Sequence, residues 1–107
     1  MMAWIHLIAA GICEIVWAIA LKYSQGFTRP LASGIVLGVG FLSFYLLSLA
    51  AKSLPIGTAY AVWTGIGAAG TAILGIALFS EPRDWPRLAS IALIVAGIAG
   101  LRVFSQP

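Results

Sequence analysis

The chain has 107 residues, of which 62% are hydrophobic and only 8% charged, with a mean hydropathy of +1.06. Average usage is ~45–50% apolar and ~25% charged, and nine charged side chains cannot cover the surface of a soluble domain of this length. Soluble enzymes, nucleic-acid readers and disordered linkers are excluded. The net charge of +3 rests on six Lys and Arg spread from Lys22 to Arg102, too scattered to track a phosphate backbone. The single cysteine, Cys13, excludes an internal disulfide. The composition predicts an all-α membrane protein.

The charges divide the sequence into four apolar stretches, 3–21, 31–51, 58–79 and 88–104, read as four transmembrane helices of one domain covering 1–107. At 1.5 Å per residue each covers roughly 25–33 Å, close to the ~30 Å hydrocarbon core. The first stretch carries no Lys or Arg before it and no small-residue cleavage pattern after it, which favours a true span over a removable signal.

Within that span Glu14 stands about midway, and it is the only acid inside any span. Charged side chains at a helix centre cost about 2.5–3.5 kcal/mol on insertion scales, so such residues mark functional sites by default. The competing reading is a hydrogen bond between helices, which Gln or Ser would supply at less cost. Ala10, Gly11, Trp17 and Ala18 share the face of Glu14: small residues before it leave room, and an indole follows one turn on. His6 falls near the helix end. With Cys13 and Glu14 it brings too few ligands to one face for a metal site, and no cofactor is expected.

The first connector, residues 22–30, holds Gly26 and Pro30, and short connectors of this kind force neighbouring helices antiparallel. In the second span Ser43 lies between Phe41, Phe44 and Tyr45; Tyr45 reads as packing. Gly34 and Gly38 form a small-residue pair suited to helix contact. After the connector 52–57, Tyr60 and Trp63 share one face of the third span. A carboxylate, a phenol, a hydroxyl and two indoles make a site for a small organic cation, with the carboxylate balancing charge and the indole faces stacking on it.

The run Gly65-Ile66-Gly67-Ala68-Ala69-Gly70 matches a dinucleotide-binding fingerprint by letter, but it follows no strand and opens no helix. Gly65 and Gly67 instead suit close packing or a bend in the third helix. The connector 80–87 contains both remaining acids, Glu81 and Asp84, and the fourth span repeats small residues at Ala92, Ala96 and Gly100. Trp4 and Trp85 fall at span ends, where interfacial anchors are expected.

Four helices are too few to enclose a pathway with both a pocket and gates, which points to a homo-oligomer pooling its Glu14 copies. One side carries Lys22, Arg29, Arg83 and Arg87, the other Lys52 and Arg102 with the amino terminus. So small a bias lets a chain insert in both orientations.

The runs Gly11-Ile12-Cys13-Glu14-Ile15-Val16-Trp17-Ala18, Leu21-Lys22-Tyr23-Ser24 and Leu54-Pro55-Ile56-Gly57-Thr58-Ala59-Tyr60-Ala61-Val62-Trp63-Thr64-Gly65-Ile66-Gly67 resemble small multidrug resistance transporters, over essentially the whole chain. Trp17 one turn after the glutamate and Gly11 one turn before it are similar to the guanidinium-exporter branch. The resemblance implies a secondary transporter of the bacterial inner membrane, not an enzyme, working as an antiparallel dual-topology homodimer that exchanges guanidinium for protons. Glu14 would bind proton and substrate in turn. Gly11, Trp17, Ser43, Tyr60 and Trp63 would line the pocket, and Ser90, Leu93, Ile94 and Gly97 would form the dimer contact. Guanidinium is planar, permanently charged, and matches a carboxylate bidentately. The rival readings are a quaternary-ammonium exporter of the same fold, a small cation channel and a structural subunit.

Overall fold

The computed structural model describes residues 2–104, all of them in four helices and three short connections. Helix α1 covers Met2–Tyr23, α2 Pro30–Ala51, α3 Ile56–Phe79 and α4 Trp85–Phe104, and each is long and apolar enough to cross a membrane. Every helix contains its expected span, and three of the four end where the apolar stretch ends. The main difference is at α4, which starts three residues early. Trp85, Pro86 and Arg87 form its first turn, where a proline costs no hydrogen bond because the first N–H groups have no partner within the helix.

The connections are fixed by local bonds. Ser24 is fully buried; its hydroxyl donates to the Leu21 carbonyl at 2.7 Å and accepts from the Phe27 N–H at 3.2 Å. The chain reverses there through Gln25, Gly26 and Phe27, all at positive φ, with Gly26 at 72°. Pro30 then opens α2 and Pro55 precedes α3, positions where proline's fixed φ suits a helix start. Ser80, in the left-handed region at φ 54°, ends α3.

Helix α1 is central. It packs on α2 and on α3, whereas the α4 backbone approaches only α3. Residues of α1 and α3 rise together across their contact, Gly11 against Ile66, Glu14 against Gly67 and Ile15 against Gly70, so the helices alternate up and down as the short connections require. One core cluster, Trp4, Leu7, Ala10, Ala50, Leu54, Ala59, Val62 and Trp63, joins the first three helices near the end that holds the second connection. Trp4 turns into this core, with the Arg102 guanidinium 4.9 Å above its ring, whereas Trp85 is exposed. The Cα envelope is only 16 Å thin in its shortest dimension, so much of each helix faces outward.

Candidate functional site

Glu14 reaches α3 because α3 has no side chain where the carboxylate rests. A Cβ at Gly67 would overlap the carboxylate oxygen Oε1, and no neighbouring helix residue of ordinary size would leave that space. The same interface is notched twice more, by Gly11 accepting Ile66 and Gly70 accepting Ile15. Gly65 meets Ile98 and Ile94 of α4 instead, and α3 runs unbroken through both glycines. All four glycines serve close helix approach.

Beside Glu14 opens a cavity of about 550 Å³ between α1 and α3. Trp17 and Ala18 wall it on α1, and Thr64, Gly67, Ala68, Thr71 and Gly75 on α3. It extends to the end of the bundle that holds the first and third connections, where Lys22, Phe79, Glu81 and Arg87 surround it. Four polar atoms of its wall, Glu14 Oε1, Trp17 Nε1, Thr71 Oγ1 and Arg87 Nε, are buried without a hydrogen-bond partner in the protein. Buried polar atoms are almost always paired, so four orphans around one cavity mark a place suited to a polar or charged guest. A carboxylate and a hydroxyl oxygen accept, and an indole face can stack.

The expected pocket divides in two. Glu14 and Trp17 line the cavity, together with Gly67, which was expected only to bend or pack α3; Ser43, Tyr60, Trp63 and Gly11 do not line it. Ser43 is fully buried as a three-helix junction: Trp63 Nε1 donates to its hydroxyl at 2.9 Å, and that hydroxyl donates to the Ala10 carbonyl at 2.8 Å. Within α1 the Ala10 carbonyl also faces the Glu14 N–H, one turn on. The junction therefore anchors the very turn that carries Glu14. Tyr60 and Phe44 lie over Trp63, with ring centroids at 5.6 and 5.3 Å, and the Tyr60 side chain is half exposed. His6 and Cys13 line no part of the cavity.

Sequence reading missed Thr64, Thr71 and the charged group at the cavity's outer end. Thr64 donates to the Tyr60 carbonyl at 2.9 Å, which leaves Thr71 the free hydroxyl. The spacing was there to find, since Trp63, Gly67, Thr71 and Gly75 fall every four residues on one ridge of α3. On α4, Leu93 is 73% exposed and Ser90 and Gly97 face outward, but Ile94 is partly taken up against Gly65.

Four helices long and apolar enough to cross a membrane, with a carboxylate seated in a cavity between two of them, define a small multi-pass membrane protein. Comparison with known proteins gives the family. The family model of the Small Multidrug Resistance protein matches residues 2–94. The guanidinium exporter of Yersinia pseudotuberculosis serotype I (strain IP32953) is 58% identical over 104 residues, covering 97% of this chain and 100% of that one. The guanidinium exporter of Escherichia coli (strain K12) is 56% identical over 102 residues, covering 95% and 97%. That of Proteus vulgaris is 55% identical over 104 residues, covering 97% and 100%. The chain belongs to the small multidrug resistance family, and it is a transporter rather than an enzyme.

Proposed function

We propose that this protein exports guanidinium in exchange for protons, as an antiparallel homodimer of oppositely inserted subunits in the bacterial inner membrane. The observation that carries the reading is the seat of Glu14: a single carboxylate, held against Gly67, with a buried oxygen that no protein group satisfies. Relatives at 55–58% identity bear the name guanidinium exporter, which supplies the cation. Guanidinium offers paired N–H donors to the carboxylate, a further N–H to the Thr71 hydroxyl, and a flat face to the Trp17 indole.

The coupling follows from having one acceptor. A proton and a guanidinium compete for the same oxygens of Glu14, so the site carries one or the other, and alternating access turns that exclusion into antiport. Glu14 and Trp17 line the cavity; Ser43 and Trp63 hold the turn beside it, and the half-exposed Tyr60 packs over Trp63 on the side open to a second copy. The outward small-residue face of α4, with Ser90, Leu93 and Gly97, is where the copies would meet, with Ile94 at its inner edge.

Transport in liposomes tests this reading. Protein reconstituted with an imposed pH gradient should move protons when guanidinium is added and not when tetramethylammonium replaces it. Proton movement with tetramethylammonium alone would make the protein a quaternary-ammonium exporter, and guanidinium current indifferent to pH would make it a channel. A reporter active on one side of the membrane, fused to the C-terminus, should score on both sides.

A further inference from the structure

The cavity does not end at Glu14. It runs along α3 to a second carboxylate, Glu81, at the end of the bundle formed by the first and third connections. Glu81 is seated as Glu14 is: a Cβ at Gly75 would overlap its Oε1. The left-handed Ser80 turns the chain back so that the Glu81 N–H also bonds the Gly75 carbonyl, at 3.3 Å. Backbone and side chain thus both fix this carboxylate at the cavity's outer end.

Its present partner is chemically telling. Arg87 Nη2 donates to Glu81 Oε1 at 2.8 Å, while Arg87 Nε is buried with no partner. The pair makes one bond where an unrestrained guanidinium group and a carboxylate make two in parallel. Arg87 is tethered on the first turn of α4 and does not present its fork squarely. The other cation here, Lys22, lies over the Phe79 ring at 5.1 Å and makes no ion pair with Glu81. Between the two carboxylates, Thr71 is four residues from each of Gly67 and Gly75, about 6 Å along the helix either way, with its hydroxyl unpartnered.

We propose that Glu81 is a docking site for guanidinium at the mouth of the cavity, held in the resting protein by the guanidinium group of Arg87, which the incoming cation displaces on its way past Thr71 to Glu14. The inference rests on the guanidinium-export reading for its cargo. Displacement exchanges like for like, so its free-energy cost is only the advantage Arg87 has in being tethered. Effective concentrations for short tethers are on the order of millimolar, and the free cation gains the second parallel bond. Millimolar guanidinium should therefore release Arg87.

Ion pairs this exposed couple weakly, so each variant should change the KM for guanidinium by about two- to fivefold. In liposome exchange, Glu81→Gln should raise the KM with little change in kcat, and Arg87→Gln should lower it. The double variant should behave as Glu81→Gln. A merely structural ion pair would make the two single variants alike, and that result, or an unchanged KM in both, overturns the proposal. A second measurement does not depend on transport. In Glu14→Gln protein labelled with 15N-arginine in lipid nanodiscs, the Arg87 Nε–H resonance should shift with millimolar guanidinium chloride and not with sodium chloride of equal ionic strength. An equal response to both salts also overturns the proposal. Failure of the parent protein to exchange guanidinium would instead sink the export reading, and the resonance shift would then decide by itself whether Glu81 docks the cation.

Discussion

Gly67→Ala is the sharpest perturbation of the site, because the added methyl falls where the Glu14 carboxylate now rests. The obstacle is the end of a side chain, but that side chain is hemmed in: Gly11 is locked against Ile66 and Gly70 against Ile15 on either side of it. Overpacking of this kind costs about 1–3 kcal/mol. We expect most of it to appear as displacement of the carboxylate, with guanidinium affinity falling by roughly tenfold for each 1.4 kcal/mol lost at the site. Isothermal titration in detergent reads the affinity, and thermal unfolding reads the stability. Glu14→Asp shortens the acid by one methylene and withdraws it from the new methyl, so the double variant should recover part of what Gly67→Ala loses. Additive losses would show that the two positions are not coupled. Parent-like affinity in Gly67→Ala would refute the view that this glycine seats the acid.

Glu14→Gln should abolish guanidinium-driven proton release, while in the parent protein guanidinium affinity should fall as pH falls, since protons compete for the same oxygens; titration across pH in weak buffer measures both. Ser43→Ala removes the acceptor of the buried Trp63 N–H and should lower stability by about 1–3 kcal/mol, read as a drop in Tm in detergent. Trp17→Ala enlarges the cavity beside Glu14 and should weaken guanidinium exchange while admitting bulkier cations, as a panel of substituted guanidiniums in the liposome assay would reveal.

The four helices were legible because composition and charge placement carry them directly. A 20-residue apolar run bounded by Lys, Arg, Pro and Gly has few structural options in a bilayer, where every backbone group must be bonded within its own segment. The α4 start was not legible from hydropathy. Trp85-Pro86-Arg87 is polar enough to resemble a connector, but helix formation depends on backbone bonding, and α4 begins where Asp84 offers its carbonyl to the Leu88 N–H at 3.1 Å. Trp4 was expected as an interfacial anchor by its place near a span end; hydropathy could not show that its side chain also packs into the core cluster with Leu7, under the Arg102 guanidinium.

The site divides along the same physical line. Glu14 was legible because a lone acid in an apolar span has no inexpensive explanation, and Trp17 because helix periodicity ties it to Glu14. Ser43, Tyr60 and Trp63 were grouped with them by chemical type, yet chemical type does not say which way a side chain points. The buried Trp63 indole N–H takes the Ser43 hydroxyl as its acceptor, so these two residues brace the turn that carries Glu14. Thr71 and Glu81 stayed hidden for the opposite reason: a threonine in a membrane helix normally bonds back to its own turn, as Thr64 does, and an acid in a connector normally faces water. What sets them apart is the α3 ridge. Glycines at 67 and 75 leave places that the Glu14 and Glu81 carboxylates take, and Thr71 stands midway between them with its hydroxyl unpartnered. A ridge notched by glycine at every second four-residue step, with an acid seated at each notch, is a pattern readable only once both helices that border it are known.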